Sequence, residues 1–197
     1  MSTIGIILAG GMARRMGGQD KALLPFKNEK LLTRAIGRLL MQVVGVALSS
    51  NSDPDTLTGY GVPVIADADD ERAGPLAGVL AGMVYAEGVG ATHIVTVAVD
   101  TPFFPLDLVS KLTRAAEEAE MPLACAATDD RTHPVFGLWP VSLRADLEEA
   151  LAGGARKVDE WTAKHGCAVA SWKGTPSDPF FNVNTPEDLI EAERLAS

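Results

Sequence analysis

Residues 93–99 constrain the fold more than any other stretch of this chain. Ile94, Val95, Thr96, Val97, Ala98 and Val99 form a nearly continuous, β-branched run. Such a run suits a central parallel strand with both faces buried. A strand of that kind needs helices above and below its sheet, and the rest of the sequence supplies them. A second apolar run, 4–8, is too short for a helix and reads as another buried strand. Leu31, Leu32, Ala35, Ile36, Leu39 and Leu40 recur at helical spacing and give an amphipathic helix. A strand over 43–48 follows and ends in the turn cluster 49–54. The segment 62–66 reads as a short strand, and Pro63 assigns it to an edge or a late start.

Pro75 suits the first turn of a helix whose apolar face is Leu76, Val79, Leu80 and Met83. Gly78 and Gly82 share one face there, where backbone or ligand can approach closely. Further on come a helix over 106–119, strands over 123–128 and 133–139, helices over 143–151 and 157–165, and a strand over 167–172. Thr185, Pro186 and Asp188 then occupy the N-cap, N1 and N3 positions of a terminal helix. Strands and helices alternate without an internal repeat or linker. The expectation is a single α/β domain over residues 1–197, three-layered, with a mostly parallel sheet.

Charge is unevenly spread. The net charge is −9, yet residues 1–38 hold seven basic and two acidic side chains, +5, so the remainder carries −14. A basic pole on an acidic body argues against nucleic acid as a partner and suits a small, highly charged phosphate ligand. Arg14, Arg15 and Lys21 belong to that site; most of Lys27, Lys30, Arg34 and Arg38 read as a solvated helix face. No apolar run approaches the roughly 18 residues of a membrane span. The start Met1-Ser2-Thr3 lacks the basic residues of a signal peptide. Cys125 and Cys167 are far apart in sequence and form no metal-type pair. These features predict a cytoplasmic protein with reduced thiols.

The pole centres on the loop behind the first strand. The strand stops at Gly10-Gly11, and the loop then carries Arg14, Arg15, Gly17, Gly18 and Lys21. Glycines let backbone N–H groups approach a ligand. Successive N–H groups with Arg and Lys beside them form an anion cradle. The loop is not a P-loop, since Ala22 rather than Ser or Thr follows Lys21, and it lacks the G-x-G-x-x-G spacing. The plainer alternative is a loop whose glycines only turn the chain.

Asp100 ends the central strand, where open α/β sheets bind ligands. Asp67 directly follows another strand. Mg²⁺ takes one or two carboxylates together with substrate phosphates and water, so both are candidates; Asp100 could instead cap the helix after it. Lys21 is a flexible ammonium able to reach phosphate. Asn182 and Asn184 alternate and therefore face one side, able to hydrogen-bond a polar heterocycle or simply to form a turn. His133 reads as structural, and Trp139, Trp161 and Trp172 as core or partly exposed. No Ser-His-Asp or Cys-His arrangement stands out.

Together these residues resemble a known family. Leu8-Ala9-Gly10-Gly11, Arg14-Arg15-Met16-Gly17-Gly18 and Asp20-Lys21 are similar to the nucleotidyltransferase loop of the molybdenum cofactor guanylyltransferases, the MobA family. Gly74-Pro75-Leu76-Ala77-Gly78, Asp100-Thr101-Pro102, His133-Pro134 and Asn182-Val183-Asn184-Thr185-Pro186 agree, in order, across nearly the whole chain. The resemblance implies a Rossmann-like nucleotidyltransferase fold that joins GMP from GTP to molybdopterin carrying molybdenum and releases pyrophosphate. It implies that Leu8, Ala9, Gly10 and Gly11 hold the guanine nucleotide through backbone contacts and that Lys21 meets phosphate. It further implies that Asp67 contacts the nucleotide and that Asp100 contacts nucleotide and Mg²⁺. The constellation itself suggests that Arg15 joins Lys21 and the glycine loop in stabilising the transition state. Where family members often place Asn after the second strand, this chain has Ser49, with Asn51 two residues on. GTP and the molybdenum cofactor are the implied partners, with cofactor-insertion proteins or molybdoenzyme chaperones as candidate protein partners. Two competing readings share these motifs: a cytidylyltransferase using CTP, and a non-catalytic nucleotide-binding partner in cofactor delivery. A sugar-phosphate nucleotidyltransferase shares the opening Leu-Ala-Gly-Gly but usually has a longer chain and a different loop.

Overall fold

A computed structural model describes residues 2–9, 20–66, 74–129, 131–174 and 178–196. Strand β1 (Thr3–Leu8) leads through a short hairpin, β2 (Pro25–Phe26) and β3 (Glu29–Lys30), into α1 (Leu31–Leu40). Then come β4 (Gly45–Ser49), β5 (Val64–Ile65), α2 (Pro75–Gly88), β6 (His93–Ala98) and α3 (Leu108–Glu118). The chain continues with β7 (Leu123–Thr128), β8 (Arg131–Pro140), α4 (Arg144–Ala152), α5 (Val158–His165), β9 (Cys167–Trp172) and α6 (Pro186–Leu195). The hairpin is absent from the sequence reading, which treats 22–26 as a connector. Its strands are too short for a period-2 pattern.

Seven of the described strands form one sheet in the order β5-β4-β1-β6-β8-β7-β9. β5, β4, β1 and β6 run parallel, β8 is antiparallel to both of its neighbours, and β9 is parallel to β7. The expected buried central strand is therefore β6, fourth of seven, and the Pro63 segment is the edge strand β5. From β1 the chain moves outward to β4 and β5, then returns to the other side of β1 at β6. That reversal is the topological switch point at which such sheets place their ligand crevice.

Alternation along β1 explains the two cores. Ile7 packs with α1 and α3 residues (Leu32, Ile36, Leu39, Leu108, Leu112) on one face. Ile4 and Ile6 pack with α2, α4 and α5 residues (Leu76, Met83, Leu147, Trp161) on the other. Gly82 lets α2 lie directly on β1, for a Cβ there would come within 2.6 Å of Ile6 Cγ1. The close approach is to the sheet. Thr96, a polar residue in the buried central strand, is satisfied by donating to the Val135 carbonyl and accepting from Trp139 Nε1 at 2.8 Å. Trp139 and Trp161 are core residues, each 1% exposed. A third, smaller core joins Leu24, Phe26 and Leu31 to Val183 and Ala192. It docks the β2–β3 hairpin and α6 beside the carboxyl ends of β1 and β6.

The two cysteines, distant in sequence, are neighbours in the fold. Cys125 pairs in register with Val169 and Cys167 with Leu123, so the thiols are diagonal neighbours on one face of β7 and β9. Both are free. Their interaction pulls the Cys125 thiol below its usual range and pushes that of Cys167 up. Register brings together what 42 residues of sequence separate.

Candidate active site

The carboxyl ends of β1 and β6 are stitched together before the chain leaves them. Ala9 N donates to the Ser49 carbonyl at 2.9 Å and Val99 N to the Leu8 carbonyl at 3.1 Å. Leu8 and Ala9 therefore lie against the ends of both neighbouring strands. Gly10, Gly11, Arg14, Arg15 and Asp67 lie outside the described residues. Of the two residues after β4 that compete for a nucleotide contact, Ser49 is buried (1% exposed) and Asn51 is exposed.

Lys21 opens a 3-10 turn, Lys21–Leu23, whose first free amide, Ala22 N, is capped by Asp20 Oδ1 at 2.9 Å. The other Asp20 oxygen accepts from the Ser52 hydroxyl at 2.7 Å. One carboxylate thus ties the start of the Lys21 turn to the segment after β4. The turn aims Lys21 Nζ at Asp100 Oδ2, 2.8 Å away, and at Asn184 Oδ1, 2.6 Å away. Both charged side chains are only 17% exposed.

Asp100 caps no helix, because α3 begins at Leu108 with Asp107 before it. The helix-capping alternative is therefore not what the fold shows. Its carbonyl accepts from Val183 N at 2.8 Å, which docks the 180s segment on the strand end. The single Thr101 hydroxyl proton goes to Asn182 Oδ1, so the 3.5 Å contact of Thr101 Oγ1 with Asp100 Oδ1 adds little. Among the described residues Oδ1 has no closer donor than this.

Val183 is fully buried, and Asn182 and Asn184 flank it on the opposite side, as their alternation predicts. Their oxygens turn inward, to Thr101 and Lys21, so the NH₂ ends are the donors available to a ligand. Asp188 holds this segment. Its Oδ2 accepts from Asn184 N and Thr185 N, both at 2.9 Å, and Thr185 Oγ1 accepts from Asp188 N, completing the capping box that the sequence announces. Desolvation works against the ionised form, but these bonds and nearby Lys21 hold the Asp188 carboxyl below the usual carboxylate range. His133 is structural. It is 7% exposed, lies 2.7 Å from the Thr128 hydroxyl and stacks on Phe180 with ring centroids 4.4 Å apart.

The solvated-face reading of α1 needs correction. Arg34 and Arg38 are partly buried and donate to carbonyls of the segment behind Asp100. Their spacing on the polar side of an amphipathic helix could not reveal this, because the loop they grip is 65 residues away.

At the switch point the described residues bring a lysine, a carboxylate and two asparagines together at the strand ends. The family model of the MobA-like NTP transferase domain matches residues 5–174. The chain belongs to this family. Nucleotidyltransferases of this family generally use a divalent metal, and a strand-end carboxylate fits that requirement. Among relatives in the family, the molybdenum cofactor guanylyltransferase of Rhodopseudomonas palustris strain BisB5 is 47% identical over 99% of this chain and 94% of its own. That of strain HaA2 is 50% identical over 97% and 91%. The crystal structure of molybdopterin-guanine dinucleotide biosynthesis protein A from Archaeoglobus fulgidus superposes with a TM-score of 0.77 at 22% identity, covering 98% of both chains. A CMP-2-keto-3-deoxy-manno-octonic acid synthetase complexed with CTP reaches 0.75 at 13% identity. These two structures share the MobA-like fold. No described helix is long and apolar enough to cross a membrane.

Proposed function

We propose that the chain transfers GMP from GTP to molybdopterin carrying molybdenum, forming the guanine dinucleotide cofactor and releasing pyrophosphate. The observation that carries this reading is the Lys21–Asp100 pair. Two groups 79 residues apart meet at 2.8 Å at the switch point, in a chain about half identical to named guanylyltransferases over nearly its whole length.

The terminal phosphate oxygen of the pterin attacks the α-phosphorus of GTP. The new O–P bond forms as the bond to the β-phosphate oxygen breaks, and pyrophosphate leaves with the electron pair. That phosphate is already ionised, so no general base is required. Lys21 donates to the phosphates, and Arg15 with the N–H groups of Gly10 and Gly11 offsets charge in the crowded transition state. Leu8, Ala9, Asn51 and Asp67 contact the nucleotide, and Asn182 and Asn184 offer NH₂ donors to a polar heterocycle. Asp100 holds Mg²⁺, which when bound draws off negative charge from phosphate oxygens. We place the reaction in the cytoplasm, with cofactor-insertion proteins or molybdoenzyme chaperones as recipients of the product.

Titration calorimetry with GTP and with CTP, each with Mg²⁺, tests the choice of base. GTP should bind at least ~10-fold more tightly, about 1.4 kcal/mol. Preference for CTP would overturn the guanine assignment in favour of the cytidylyltransferase.

A further inference from the structure

The polar side of α1 is built to grip one particular loop. Arg34 and Arg38 stand four apart on α1, the spacing that aligns side chains along a helix face, and Gln42 follows in the turn two residues past its end. Arg34 Nε donates to the Pro102 carbonyl at 2.9 Å. Arg38 reaches the Phe103 carbonyl at 3.1 Å through Nη2 and the Phe104 carbonyl at 2.9 Å through Nε. Gln42 Nε2 donates to the Pro105 carbonyl at 3.1 Å, while its Oε1 accepts from Val109 N at 3.1 Å at the start of α3. Three side chains thus serve four consecutive carbonyls between the central strand and the next helix. Backbone that leaves a strand needs such partners, but water or a turn would satisfy them at less cost than two cations one helical turn apart. Of these two cations, only Arg34 has a carboxylate partner among the described residues, Glu29 at 3.1 Å.

The Arg34 guanidinium also faces the other half of the site. Arg34 lies over the Phe26 ring at 5.0 Å and the Phe103 ring at 5.8 Å. Phe26 belongs to the hairpin that follows Lys21, and Phe103 to the loop that follows Asp100. Arg34 therefore sits between the segments that carry the two charged groups.

We propose that Arg34, Arg38 and Gln42 are positioning residues, a ladder that fixes the 102–105 backbone and through it the Asp100 carboxylate for its metal and for Lys21. This rests on the nucleotidyltransferase reading above. A planar fork can span two carbonyls, whereas a lysine ammonium is a point charge on a flexible stem. Arg38→Lys keeps the charge and loses the fork.

The test combines steady-state GMP transfer with direct Mn²⁺ binding in the presence of GTP, followed by electron paramagnetic resonance. Supporting groups around a metal ligand typically matter by 10–100-fold. Arg38→Lys should lower kcat about 10-fold and weaken Mn²⁺ binding several-fold, while the KM for GTP stays within about two-fold. A merely structural role would lower the melting temperature and leave kcat and Mn²⁺ affinity unchanged below it; that result overturns the proposal. If Arg38→Lys does not fold, Arg34→Lys gives the same readout with the Arg38 fork intact. Wild-type protein that neither binds Mn²⁺ with GTP nor transfers GMP would overturn the functional reading itself. Wild type active in both assays and matched by the variant would overturn the ladder alone.

Discussion

Lys21→Met and Asp100→Asn, made singly and together, measure how firmly the two halves of the site are joined. At 2.8 Å the direct attraction is about 6 kcal/mol for an effective dielectric constant of about 20. Both side chains are 17% exposed, so removing them from water cancels most of it. Asn184 Oδ1, 2.6 Å from Nζ, remains with Lys21 in Asp100→Asn and softens the loss further. The coupling energy should be about 1–3 kcal/mol, with the double variant less destabilised than the two singles added. Urea denaturation with linear extrapolation reads it. Repeating the cycle in high salt should change it little, because partly buried pairs are weakly screened. A coupling below ~0.5 kcal/mol, or one that vanishes with salt, would refute the view of the pair as a joined, sheltered unit.

Two further predictions concern the scaffold. Gly37→Ala and Gly82→Ala each gain about 1 kcal/mol of helix propensity, but a Cβ at Gly37 meets nothing within 4 Å while one at Gly82 strikes Ile6 at 2.6 Å. Their measured stabilities should therefore differ by about 1–3 kcal/mol, the cost of overpacking, and equal stabilities would contradict the contact of α2 with β1. Burial, with help from Arg131 and against Asp178, lowers the pKa of His133 below its usual 6.5. The unfolded chain then binds the proton first, so stability is lost as pH falls through 6.5 toward the lower folded value. Since one proton is worth at most about 1.4 kcal/mol per pH unit, His133→Phe should flatten the pH 5–7 slope by up to that amount. Identical slopes in the two proteins would show that the ring protonates freely in the fold.

What could be read from sequence followed its range. The strand at 93–99, the edge strand marked by Pro63, the capping box at Thr185 and the amphipathic α1 are local patterns, and all stand in the fold. Asp100 and Lys21 were legible one at a time, from a strand end and a glycine loop. Their contact was not, because only sheet order and the docking of the 180s segment bring them together. Arg34 and Arg38 were misread for the same reason: helical periodicity says which face is polar, but not which distant carbonyls that face will meet. The antiparallel β8 and the Cys125–Cys167 neighbours depend on strand pairing, for which the chain carries no local signal.

The most direct test of the central claim is pyrophosphate release by the purified protein supplied with Mg²⁺, a nucleoside triphosphate and molybdenum-loaded molybdopterin. One pyrophosphate should appear per guanine dinucleotide formed, only when GTP and the pterin are both present, with the rate falling about 100-fold or more in Asp100→Ala, as for other charge-stabilising groups. Release that persists in Asp100→Ala at the wild-type rate, or that runs better on CTP than on GTP, would contradict that claim.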